Sequence, residues 1–208
     1  SSILNEHIQA FGEFSDHILY HIEYSNDIIR FQTFLQNYTM YNNYNKSILI
    51  IDNKTVELFK CQMSHNILIL LDQFLRQKCG QINQIYINDI DFDESNLQYL
   101  VDILKTYPNI VGLRLNRVSF EIKHIDVLSE LKSQLIYLDL ANNQLGAGDD
   151  WHIYRYELRN FLLGLDKIEI LDLSNNQLPA DSFHIIIDGI QARKKLISLN
   201  LSGNPNLI

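Results

Sequence analysis

The chain has 208 residues, 46% of them hydrophobic and 20% charged, with a formal net charge of −8 and a pI near 5.3. That is enough apolar material for one large domain or an elongated array of repeats. The acidic balance excludes the basic stripe that nucleic-acid binding needs and disfavours an anionic membrane surface, so the expected partner is another protein, neutral or basic.

Residues 1–44 hold two runs at helical spacing, Ile8, Phe11, Phe14, Ile18 and Ile22, then Ile28, Phe31, Leu35 and Tyr38. They predict a helical N-terminal cap over 1–44, leaving 45–208 as one continuous domain. Glu13, His17 and His21 stand four apart, a spacing that can place metal ligands on one helical face. That face flanks the apolar stripe and no fourth ligand is identifiable, so a solvated polar face is favoured and no metal or cofactor is expected. The first residues show neither a basic n-region nor an apolar signal core, and no apolar run reaches membrane-spanning length. With only Cys61 and Cys79 present, free thiols in a reducing intracellular compartment are expected. The chain opens without Met and stops at "NPNLI", as expected of a trimmed piece.

Next comes "SILIID", read as a degenerate first strand with Ile48 and Ile50 inward and Asn53 at its turn. A helix over Ser64–Lys78 follows, closed by Gly80. It lies between the two cysteines and holds them beyond disulfide reach. Cys61 and His65 are the nearest approach to a nucleophile and base, and no third group orients them. The sequence holds no phosphate loop, GxSxG or HExxH, so no enzyme activity is expected.

From Ile82 onward a ruler emerges. The segments "INQIYINDI", "IVGLRLNRV", "LIYLDLANN", "IEILDLSNN" and "LISLNLSGN" begin at Ile82, Ile110, Leu135, Ile168 and Leu196, spaced 28, 25, 33 and 28 residues apart. Each carries aliphatics at positions 1, 4 and 6, and the last three add Asn143, Asn176 and Asn204 at position 9. Positions 4 and 6 share one face of a strand, because side chains alternate with a period of two. Helical stripes follow, such as Leu97, Leu100, Val101 and Leu104, then Phe183, Ile186, Ile187 and Ile190. Pro108 ends the first of these helices.

This pattern resembles the leucine-rich repeat, in the ribonuclease-inhibitor-like subtype whose repeats pair a strand with a full helix. The resemblance implies an α/β leucine-rich-repeat solenoid, or horseshoe, with parallel strands on a concave face and helices on a convex one. One departure stands out. Position 9 is Ile90 and Val118 in the two middle repeats, so the Asn ladder is interrupted and those turns need other partners. The last strand is expected to leave an uncovered parallel edge, available to further repeats, a cap or a partner.

Positions 3, 5 and 7 should project from the concave sheet. They supply the expected partner-binding residues Tyr86, Asn88, Arg114, Asn116, Tyr137, Asp139, Ile170, Asp172 and Asn200. Position 5 forms a column in which Arg114 can pair with Asp139, while Asp139 and Asp172 stand beside each other as like charges. Asp is common there as scaffold, but Tyr and Arg are enriched at interface hot spots.

The long repeat contains "GAGDDWHIYRYELR". Its spacing predicts an added helical turn with Asp149 or Asp150 as N-cap and Trp151 inward, beside Tyr154, Leu158, Phe161, Leu162 and Leu165. Outward fall His152, Ile153, Tyr156 and Arg159, the last three forming a candidate secondary contact. The expected function is a non-catalytic protein that binds, and inhibits or regulates, a partner, with a substrate-recognition module of a larger enzyme such as a ubiquitin ligase as the alternative. The Ile, Asn, Gln and Tyr richness and the "LDLSNNQL" repeats also resemble leucine-rich-repeat effectors of Legionella. That resemblance implies secretion into a host cytosol and a host protein or another effector as partner.

Overall fold

The computed structural model describes residues 48–51, 54–59, 63–78 and 80–207. The expected cap over 1–44, with Glu13, His17 and His21, lies outside the described residues, as do Cys61 and Cys79. Seven described strands form one sheet in chain order: β1 (Ile48–Ile51), β2 (Thr55–Phe59), β3 (Gln84–Asn88), β4 (Gly112–Asn116), β5 (Tyr137–Asp139), β6 (Ile170–Asp172) and β7 (Ser198–Asn200). From β2 to β7 all pairings are parallel, so the fold is α/β with a six-strand parallel sheet.

The five repeats with the period are found as expected, each with its aliphatics inward. Ile85 and Ile87, Leu113 and Leu115, Leu138 and Leu140, and Leu171 and Leu173 are all buried. Burying such a side chain contributes roughly 1.5–3 kcal/mol each, so this ladder is a large favourable term in stacking the repeats. Leu199 and Leu201 of the last repeat are only partly buried.

The first strand departs from expectation. Ile48–Ile51 is a strand, but it pairs antiparallel with β2, with Ile48 opposite Phe59 and Ile51 opposite Val56. The first parallel strand is β2, whose Val56 and Leu58 align with Ile85 and Ile87. Three residues between β1 and β2 allow a hairpin and are far too few for a parallel crossover, so β1 must run the other way.

Helices α1 (His65–Lys78), α2 (Glu94–Thr106), α3 (Ile125–Leu128), α4 (Trp151–Gly164) and α5 (Ser182–Ile190) connect the strands. Ser64 accepts the Ile67 N–H at the start of α1, and Gly80 follows its end with φ +81°. Asp93 caps α2 by accepting the Asn96 N–H at 2.7 Å, and its carboxyl is held below the usual range chiefly by that bond. The repeat beginning at Ile110 does not carry the full helix that the subtype implies. Short 3₁₀ turns over Ile122–His124 and Ser129–Leu131 flank the four-residue α3. At 25 residues this repeat is the shortest, and the tighter, poorer helix is what fits.

Where the Asn ladder is present, each Asn serves the turn of the repeat before it. Asn143 accepts the N–H groups of Val118 and Phe120 at 3.0 and 3.1 Å, spanning back one repeat to the turn that lacks its own Asn. Its amide donates to the carbonyls of Leu115, Leu140 and Ala141. Asn204 likewise accepts from Asn176 and Leu178. Position 8 carries a positive φ in all five repeats: Asp89, Arg117, Asn142, Asn175 and Gly203. Asn and Gly tolerate that left-handed turn; Arg117 is the strained member, held by an ion pair to Asp89.

Candidate functional site

One face of the sheet carries the helices. On the other, positions 3, 5 and 7 lie in register, so the position-5 column runs Glu57, Tyr86, Arg114, Asp139, Asp172, Asn200. Repeat spacing misses Glu57, because "SILIID" takes the place of the first parallel strand one segment too early. Glu57 accepts a 2.7 Å hydrogen bond from the Asn88 amide.

At the middle of this face four expected residues come together. Arg114 Nε donates to Asp139 Oδ2 at 2.8 Å, and Arg114 Nη2 donates to the Tyr137 hydroxyl at 2.9 Å. The Tyr137 hydroxyl donates in turn to Asp139 Oδ2 at 3.2 Å. The guanidinium lies 4.4 Å from the centre of the Tyr86 ring, and the Tyr86 and Tyr137 rings are 5.9 Å apart. Tyr86 also donates to Gln84, whose stem lies across Gly112, where a Cβ would sit 2.9 Å from Gln84 Cγ. Burial, then the charge of Asp139, push the Tyr137 hydroxyl up to about 12. Burial pulls the Arg114 guanidinium down, but its bond to Tyr137 and the Asp139 charge outweigh that, and its net shift is upward.

Asp139 does not present itself to a partner. It is 5% exposed, and its other oxygen accepts the Ala141 N–H at 2.9 Å. The same bond recurs along the column. Asp172 accepts from the Ser174 N–H at 2.8 Å, and Asn200 from the Ser202 N–H at 3.1 Å. An Asp or Asn at position 5 thus satisfies the N–H two residues on, where the strand ends. The expected clash of Asp139 with Asp172 is offset, because Arg114 covers the first and Asn200 donates to the second at 2.8 Å. Asn88 and Asn116 are half-buried, and Ile170 is 41% exposed.

The outer helix surface matches its reading in exposure. Ile153 and Tyr156 are 64% and 56% exposed, and Arg159 is half-exposed, facing Asp188 at 3.8 Å. Trp151 is buried, and its indole N–H donates to Asp181 of the following repeat at 2.9 Å. Asp150 stands at the N-cap of α4 without a side-chain cap bond, so the helix start is held by the Trp151 and Arg155 contacts to Asp181 instead. His124, buried, accepts the Glu121 N–H through Nδ1, and burial lowers its pKa. Among the described residues no three His, Cys, Asp or Glu side chains gather as a metal site, and no helix is long and apolar enough to cross a membrane.

No family model matches the chain, and no curated protein matches it. Among solved structures, the tropomodulin C-terminal domain from Caenorhabditis elegans is similar, with a TM-score of 0.52 and 14% identity over 65% of this chain and 82% of that one. That domain has a leucine-rich-repeat-type fold, and at this identity the likeness carries the fold alone.

Proposed function

We propose that the chain is a non-catalytic interaction protein that binds a partner protein on the sheet face that no described helix covers, as the concave side of a horseshoe-shaped solenoid. The observation that supports this most is the Tyr86–Arg114–Tyr137–Asp139 network. Aromatic and Arg side chains on a hydrogen-bonded sheet lose little entropy on binding, which is what interface anchors require. The outer ridge of Ile153, Tyr156 and Arg159 is a secondary contact in this reading. Regulation or inhibition follows from occupying the partner's surface, and the wording of the repeats suits a delivered bacterial regulator.

Two double variants test it. Tyr86→Ala with Ile170→Glu changes the sheet face; Ile153→Glu with Tyr156→Ala changes the helix ridge. A partner enriched by the immobilised wild-type chain should bind the first variant about tenfold or more weakly and the second nearly unchanged, with both melting as wild type does. Equal loss in both, or loss only in the second, would place the contact on the helices instead.

A further inference from the structure

The open face is not uniform from one end of its strands to the other. At position 3, Tyr137 and Ile170 are paired neighbours, Ile170 is 41% exposed, and Ser198 continues the row in the next strand. None of these three positions carries charge, and the starts of β5 and β6 form an apolar patch. Two residues along, position 5 holds Asp139, covered by Arg114, and Asp172, whose neighbours in the column are Asp139 and Asn200.

The connections sharpen this polarity. Those leaving the strands (89–93, 117–121, 140–150 and 173–181) contain seven carboxylates and one base, Arg117. Those leading into them (107–111, 132–136, 165–169 and 191–197) contain five bases and two carboxylates. Lys123 reports the field at the acidic end. Its pKa is raised first by its bond to Glu121, then by the charges of Glu121, Asp150 and Glu94. A ligand across β5 to β7 therefore meets apolar surface along one side and negative potential along the other, with basic groups such as Lys167, Lys194 and Lys195 beyond the apolar side.

We infer that the partner presents a basic, amphipathic segment to this face. The inference rests on the open face being the binding face. Its apolar side chains lie on Tyr137 and Ile170, and its Lys or Arg side chains point to Asp172 and the acidic strand-end loops. Like charges on Lys167, Lys194 and Lys195 disfavour the reversed orientation, so the charge pattern sets direction as well as attraction.

The test uses the full chain and three synthetic peptides of equal length: an amphipathic Lys/Leu peptide, its Glu/Leu counterpart, and the Lys/Leu composition scrambled so that no apolar face forms. Affinity is read by calorimetry and location by backbone amide shifts. The amphipathic Lys/Leu peptide should bind most tightly, with shifts concentrated at 137–139, 170–172 and 197–200. Asp172→Asn keeps an acceptor for the Ser174 N–H, as Asn200 does for Ser202, and should weaken that binding about two- to fivefold. Ile170→Ser should weaken it as well. Equal binding of the Glu/Leu peptide at these amides would overturn the basic chemistry while leaving the open face as the binding site. Equal binding of the scrambled peptide, shifts centred on the helices, or no binding by any peptide would overturn the inference itself.

Discussion

Asp139 looks in sequence like an exposed carboxylate in a binding column, yet it is buried and bonded to Arg114, Tyr137 and the Ala141 N–H. What it does is fix two side chains, Arg114 and Tyr137, that are themselves partly accessible. The Arg114–Asp139 pair follows from the register of the column; the burial of Asp139 and its bond to the Ala141 N–H do not. Tyr137 carries a measurable trace of this environment. Its hydroxyl is raised to about 12 in the folded chain, against about 10 for an unperturbed tyrosine. A raised folded value means the stabilising contribution is intact below pH 10 and is lost as the pH climbs from there through the folded value, because the unfolded chain ionises first. Stability measured by denaturant unfolding from pH 9 to 11.5 should therefore fall more steeply for wild type than for Tyr137→Phe. Parallel curves would show that the hydroxyl ionises as an exposed one does.

Among the elements, α5 shows how packing can rotate a helix away from its apparent stripe. Phe183, Ile186, Ile187 and Ile190 read as one inward face, but Phe183 is 43% exposed and Ile187 only partly buried. The buried set is Ser182, Ile186, Gly189 and Ile190. Gly189 is the reason. A Cβ there would lie 2.6 Å from Leu162 Cβ and 3.2 Å from the Arg159 carbonyl oxygen, so α5 sits tightly on α4 through its glycine. A stripe drawn through the large apolar side chains gives Gly no weight and misses such a contact. Replacing Gly189 with Ala improves intrinsic helix propensity by about 1 kcal/mol yet forces α4 and α5 apart. The net effect should be a loss of about 1–3 kcal/mol, the usual cost of overpacking, read as a lowered midpoint in urea. A rise in stability would mean that the two helices separate freely. Trp151 makes the complementary point: its burial is legible from spacing, whereas its bond to Asp181 of the next repeat is not.

Across the whole molecule, each repeat leans on its neighbours. Asn143 serves the turn of the preceding repeat, Asn204 does the same for the turn after β6, and Trp151 reaches forward to α5. Stability in such an arrangement is a sum of neighbour terms and need not be uniform. Leu199 and Leu201 are less covered than the corresponding residues of β3 to β6, so hydrogen exchange should be faster at β7 and α5 than at β3 and β4. Uniform protection along the sheet would indicate a single cooperative unit instead. The sequence by itself determined the repeat frame, the inward aliphatics and the register of the position-5 column, because these follow from a two-residue strand period and a repeat length that a single chain displays openly. Tertiary structure alone decided which strand starts the parallel sheet, how deeply Asp139 is buried and how the charge of the connecting loops falls about the open face. Those outcomes depend on contacts between residues some 25 to 30 apart, whose partners are chosen by the stacking of whole repeats and not by the pattern within any one of them.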